Sequence, residues 1–231
     1  FQSAQFLPNV TNDERAELER QSLLYYNQNY PDDVDYKGIT QTEGVGQQRT
    51  FVKRSEQPFY WPVHYVEPVQ GNQGAIDLDS YFFVKSQRIR IDKAVETFRP
   101  VLSDRLVLIQ ETESNTYGVI FMHPGVSTSV VSNPVPTALS QIVVRIPDLI
   151  ARAKSSVGAV WIQSVYLFDS TKESSEAEPE FLGAARFNNG ETVVASLPDT
   201  NWSNVPRDSH TFTDEIQVAD RRWSVVVVAE E

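Results

Sequence analysis

The sequence predicts an α+β fold, with antiparallel strands gathered into two small sheets and the helices set aside from them. Three observations predict it. A capped, polar helical stretch, "VTNDERAELERQSLLYY", stands near the start of the chain. Strand-like runs cluster instead of alternating strictly with helices. Finally, "QIVVRIPDLIARAKSS" turns from strand to helix just before a run of strand signals only.

In the first helix Thr11 and Glu14 stand in capping-box spacing, which satisfies orphan amides at a helix start. Its apolar side is thin (Leu18, Leu24, Tyr25), so it is expected to act as a stalk or a partner contact, not as a core helix. Pro31 ends it. Residues 37–56 are rich in Gly, Gln and Thr without periodicity and are expected to form loop with one short helical turn. "FYWPVHYVEP" reads as a strand bounded by Pro62 and Pro68. Residues 80–98 read as a helix with Val84, Ile91, Val95 and Phe98 at helical spacing. Two strands, 105–111 and 118–123, joined by turn formers Ser114 and Asn115, make a hairpin. "SVVSNPVPTALS" reads as a connector, and Pro147 sits where the first turn of the next helix tolerates it. Strand signals then follow in "AVWIQSVYLF", "EFLGAARF", "ETVVASL", "TFTDEIQV" and "RRWSVVVVA", with the acidic "DSTKESSEAEPE" as a solvated loop.

The chain has 231 residues, 40% of them hydrophobic and 22% charged, as expected of one large globular domain or two modest ones. Its formal net charge of −11 disfavours nucleic acid and anionic lipid as partners. No stretch approaches the ~18 apolar residues that cross a bilayer, so any membrane-spanning helices would flank this segment. Cysteine is absent, which excludes disulfides and thiolate chemistry. The chain opens at Phe1 with neither initiator Met nor signal peptide and reads as a piece of something longer. Sequons at Asn9 and Asn201 would suit an exported domain.

Catalytic and metal signatures are missing. His64, His123 and His210 lie on three separate strand signals, without the spacing of a zinc site. No Gly-x-Ser-x-Gly is present, and neither "GVGQQ" nor "GNQG" is followed as a P-loop would be. A non-enzyme without metal or cofactor is expected. In "GNQGAIDLDS", Asp79 or Ser80 is placed to cap the helix that follows, a role worth about 1 kcal/mol. Asp-x-Asp without further oxygen ligands is no calcium loop. Asp77, between Ile76 and Leu78, is either a loop aspartate bonding backbone amides or a buried acceptor for a ligand.

The block "PVHYVEP…GNQGAIDLDS…RIRIDKAVET…LVLIQ…YGVIFMHPG" resembles the CHASE domain, the extracellular sensory module of receptor histidine kinases and nucleotide or diguanylate cyclases, including plant cytokinin receptors. The order and spacing of these motifs carry the resemblance, firmest over residues 59–155. It implies an N-terminal stalk helix region (1–36), a membrane-distal PAS-like ligand-binding subdomain (37–140) and a membrane-proximal PAS-like subdomain (141–231). It further implies a small-molecule ligand, adenine-like or otherwise donor-bearing, bound by the turn aspartate Asp77. A backbone contact falls near Leu108, and Met122 stands where a small polar residue meets the ligand. Tyr65 and Gly118 complete the implied set. The module would sit in the extracellular or periplasmic part of a membrane protein and pair as a homodimer through the stalk helix. Several positions depart from the family pattern: Met122 lacks a hydroxyl, Ala75-Ile76 replaces Gly-aromatic, "YFFV" is inserted, and "HPGV" replaces Pro-Val-Tyr. Two other readings stand beside this one. The first is a secreted interaction module without a small-molecule pocket. The second is a hydrolase using Asp77 with Glu67 as acid and base.

Overall fold

The computed structural model describes residues 2–44, 50–82, 85–108, 117–126, 136–158, 160–171, 178–188, 191–194, 200–205, 207 and 210–229. The chain is α+β. In order come β1 (Ser3–Pro8), β2 (Val10–Thr11), α1 (Asn12–Asn29), β3 (Thr40–Glu43), β4 (Thr50–Lys53), β5 (Phe59–Tyr60) and β6 (Tyr65–Glu67). Next are α2 (Lys85–Thr97), β7 (Val101–Leu102), β8 (Leu106–Val107), β9 (Tyr117–Val126), β10 (Pro136–Arg145) and α3 (Ile146–Val157). Five strands close the chain: β11 (Ile162–Asp169), β12 (Glu180–Asn188), β13 (Glu191–Val194), β14 (Thr211–Val218) and β15 (Arg221–Ala229). Among the described residues no helix is long and apolar enough to cross a membrane.

Two compact units form, one from Gln2–Asp104 with Ile120–Val143, the other from Arg105–Val119 with Val144–Glu231. The first unit is built on the sheet β6-β1-β10-β9-β7. β1 lies inside that sheet, antiparallel to β10 on one side and β6 on the other, and its side chains alternate strictly between buried and exposed. Residues 3–8 carried no strand expectation, because six residues whose inward face is Ser3, Gln5 and Leu7 are a faint signal until neighbouring strands supply the hydrogen bonds.

The first helix therefore follows a strand and does not open the chain. Glu14 accepts hydrogen bonds from the Thr11 N–H at 2.9 Å and the Thr11 hydroxyl at 2.7 Å, as the capping-box spacing requires. Contrary to its thin apolar side, α1 buries a face, made of Arg15, Ser22 and Tyr26. Arg15 donates to the Arg54 carbonyl at 2.9 Å and to the Tyr60 hydroxyl at 3.2 Å, so polar bonds hold this face down.

Other expectations need correction. Within residues 37–56, β3 and β4 pair antiparallel where loop was expected; β3 is polar on both faces and β4 has one apolar residue on each, Phe51 and Val52, so neither leaves a periodic trace. The strand over 59–68 is broken into β5 and β6 because Pro62 interrupts it. The helix over 80–98 starts later: Ser80–Phe82 form a 3-10 turn, and α2 begins at Lys85. Phe98 is not on its buried face. It follows the last helical residue in a left-handed conformation (φ 54) and is 43% exposed, while Gln87, Ile91 and Ala94 face inward. Val84 lies outside the described residues.

In the second unit β8 pairs with the start of β9, Leu106 opposite Gly118. The expected turn at Ser114 and Asn115 lies outside the described residues, as do positions 172–177 of the acidic loop and 127–135 of the connector. The sheet β13-β12-β11-β15-β14 accounts for the closing strand signals. α3 approaches β12 at Gly183, where a Cβ would lie 2.7 Å from Ile146, so only glycine fits. Phe168, Phe181, Val226 and Trp202 pack the core beneath.

Candidate functional site

The segment holding Asp77 is pinned by its backbone. Its N–H donates to the Val63 carbonyl at 2.8 Å, and its carbonyl accepts from the Thr40 N–H at 2.9 Å. The residue adopts φ 48, a left-handed conformation that Asp tolerates better than most side chains. The carboxylate is 0% exposed. The Tyr36 hydroxyl donates to Oδ2 at 2.6 Å, while Oδ1 lies 3.6 Å from His64 Nδ1 and has no hydrogen-bond partner. His64 Nδ1 is in hydrogen-bond contact with the Ser22 hydroxyl at 3.0 Å, and the Tyr26 hydroxyl donates to the His64 carbonyl at 3.0 Å. Burial, and then the Asp77 charge, pushes the hydroxyls of Tyr26 and Tyr36 well above the ordinary tyrosine range, so both stay protonated donors. A cleft of about 250 Å³ lies beside this segment, lined by Val34, Tyr36, Thr40, Phe51 and Ile76 among others. Asp77 itself does not line it.

Asp79, two residues on, is differently occupied. Its Oδ1 accepts from the N–H groups of Trp61 at 3.1 Å and Tyr81 at 3.3 Å, the second being the expected capping bond at the 3-10 turn. Its Oδ2 sits 3.3 Å from Arg54 Nε. The residue is fully buried, and burial outweighs these partners and raises its carboxyl above the ordinary value.

Met122 is buried on the inner face of the first unit's sheet, where the Gln87 amide of α2 donates to its sulfur at 3.8 Å. It pairs with Val101 of β7. Farther along β9, a Cβ on Gly125 would lie 3.8 Å from that of Ala138 on the neighbouring β10. Counting back from that contact along antiparallel β9 and β10 sets Met122 opposite Gln141, and the two burial patterns agree. Gln141 pairs with Gln5, and Gln5 with Val66. A transverse row of inward side chains results: Val66, Gln5, Gln141, Met122, Val101. Gln141 is 1% exposed, and neither its amide nitrogen nor its oxygen has a hydrogen-bond partner; Gln87 Oε1 is likewise unpartnered. Leaving such a group unsatisfied costs about 1–3 kcal/mol.

The remaining expected residues lie elsewhere. Tyr65 is 43% exposed on the sheet's outer face, opposite to its neighbour Val66, and so does not join Met122. Glu67 shares that outer face, apart from the covered Asp77 carboxylate. Leu108 and Gly118 meet in the second unit: a Cβ on Gly118 would lie 2.7 Å from the Leu108 side chain, so glycine makes room for a buried leucine. Tyr36, His64, Gln87 and Gln141 were missed. Glutamine at an inward position of an alternating strand, as in "ALSQIVV", was the available signal for the last. Among the described residues no cluster of His, Cys, Asp and Glu could hold a metal ion.

No curated protein matches this chain. The family model of the CHASE domain matches residues 1–179. The chain therefore belongs to the CHASE domain family, sensor domains of signalling receptors that are generally non-catalytic and typically lie in the receptors' extracellular parts.

Proposed function

We propose that this chain is the ligand-binding sensor of a transmembrane receptor of histidine kinase or cyclase type, placed outside the cell or in the periplasm, and that it takes a small molecule bearing both hydrogen-bond donors and acceptors in the first unit. The observation that carries the reading is Gln141, a buried primary amide with nothing bonded to either end. A planar ligand edge that offers one donor and one acceptor, as a purine or an amide does, satisfies both ends at once. Met122 then gives an apolar, polarizable contact where a hydroxyl would have bonded, and Gln87 offers a further acceptor. Asp77 stands as an acidic acceptor whose Oδ1 has no hydrogen-bond partner.

Output follows if the ligand favours one arrangement of paired copies over another, since equal binding to both shifts nothing. The exposed Leu24 of α1 is the natural contact for such a homodimer. The interaction-module reading rests on the second unit's exposed Trp161 and Phe212, whose rings meet edge to face at 6.4 Å.

A thermal-shift screen over purines, amino acids, short peptides and carboxylates tests the proposal. At least one class should raise the melting temperature, and Gln141→Leu should abolish that rise while leaving the ligand-free protein no less stable, because it removes an unsatisfied amide. No shift in any class, or a full shift retained in Gln141→Leu, overturns it.

A further inference from the structure

The outer face of the same sheet carries a second cleft of about 580 Å³, within the ~300–1,000 Å³ of small-molecule sites. Strand register builds it. Two transverse rows cross the face, Tyr65–Phe6–Ser140 and Glu67–Ala4–Ile142. Ala4 and Ser140 are small and form the floor, and α1 adds Tyr25 and Tyr26 along one side.

The rings stand at angles to one another. Tyr25 and Tyr65 meet at 86° with centroids 5.3 Å apart, Tyr25 and Tyr26 at 83° and 5.1 Å, and Phe6 and Tyr65 at 36° and 6.4 Å. Perpendicular rings form the corner of a box and do not close over it as a stacked pair would. The rings stay partly open to solvent: Tyr65, Phe6 and Tyr25 are 43%, 39% and 37% exposed.

The charge in the cleft has one sign. Glu67 is its sole charged lining residue among the described ones; no lysine, arginine or histidine lines it. Glu67 stands two residues beyond Tyr65 on the same outward face of β6 and lines the cleft with it. The protein as a whole carries −11. An anion is repelled here, and a metal ion finds too few oxygens. Aromatic faces carry negative quadrupole potential and attract a cation that is itself apolar-skinned.

We propose that this outer-face cleft is an aromatic cage for an alkylated ammonium group, with Tyr25, Tyr65 and Phe6 as its walls and Glu67 as the counter-charge. Gln5, Val66 and Gln141 also line the cleft, but its walls come from the alternate, outward residues of the same strands, so the proposal does not rest on the inner-face reading. A primary ammonium keeps its hydration shell more strongly and gains less, so quaternary and highly methylated amines are the favoured class.

The probes are tetramethylammonium, choline and the uncharged choline isostere 3,3-dimethylbutan-1-ol, each titrated into the whole chain by calorimetry at constant ionic strength. Both cations should bind saturably, and the neutral isostere at least about tenfold more weakly. Tyr65→Ala and Glu67→Gln should each weaken choline about tenfold, and Tyr65→Phe should preserve it, since the ring and not the hydroxyl is used. Glu67 is exposed and Tyr65→Phe keeps the ring contacts, so melting temperatures without ligand should not change in Glu67→Gln and Tyr65→Phe. No saturable binding of either cation, equal binding of cation and isostere, or unaltered binding in Tyr65→Ala each overturns the proposal.

Discussion

Asp77 and Asp79 are two residues apart, both fully buried, and yet used in opposite ways. Asp79 is closed off: a guanidinium beside one oxygen and two backbone amides on the other. Asp77 faces a tyrosine hydroxyl on one oxygen and an imidazole beyond hydrogen-bond reach of the other. Tyr81 and Trp61 are tied to Asp79, so it fixes how the loop enters α2. Asp77 is held by its backbone, and its carboxylate accepts one hydrogen bond, from Tyr36. Oδ1 of Asp77 and Oδ2 of Asp79 alike lack a hydrogen bond, so what separates the two is that Asp79 is matched by a counter-charge and two backbone amides.

The largest effect should come from breaking the matched one. Asp79→Ala leaves Arg54 buried without its counter-charge and should cost about 3–5 kcal/mol in denaturant unfolding, well above a lost helix cap. Asp77→Ala should cost less, about 1–3 kcal/mol, as Tyr36 loses its acceptor. Equal losses in the two variants would erase the distinction drawn between them. Asp77→Asn sharpens it: asparagine tolerates the left-handed backbone and still accepts from Tyr36, so stability should change by less than about 1 kcal/mol while any ligand-induced thermal shift falls.

The smallest effects are in pH dependence, and their signs differ. The Asp79 carboxyl is raised above 3.8 by burial, so the folded state holds its proton more tightly than the unfolded one. Its contribution to stability therefore declines as pH rises from the ordinary aspartate value through the folded one, and Asp79→Asn should remove that decline. Glu17 on α1 is lowered from 4.5 to about 2, first by its hydrogen bond with Arg20 and then by Gln21. Its contribution is present above 4.5 and lost as pH falls through about 2. NMR titration of the Glu17 carboxyl carbon should show that low midpoint; an ordinary midpoint would mean that the exposed pair with Arg20 is not formed in solution.

Legibility followed signal type. Local rules worked where a few residues decide the outcome: Thr11 with Glu14 at the start of α1, Pro147 in the first turn of α3, and the strand runs from Ile162 to Ala229. Pattern rules failed where both faces are polar, as in β3, or where the segment is short, as in β4 and β1. The site residues divided similarly. Burial of Asp77 and Met122 agrees with their flanking apolar text, whereas Tyr65 fell on the wrong face for that site because a single residue of register decides which side of a sheet a side chain meets.

By itself the sequence determined the α+β class, the starts of α1 and α3, the absence of thiol chemistry and the family, because each depends on neighbours in the chain or on the order of motifs along it. Tertiary structure alone decided that Gln141 lies beside Met122 with both amide ends open, that Tyr36 covers Asp77, and that Glu67 joins Tyr65, Phe6 and Tyr25 around one cleft. Those groupings join Gln141 to Met122 across 19 positions, Asp77 to Tyr36 across 41 and Glu67 to Phe6 across 61, and strand register with burial sets which of them meet.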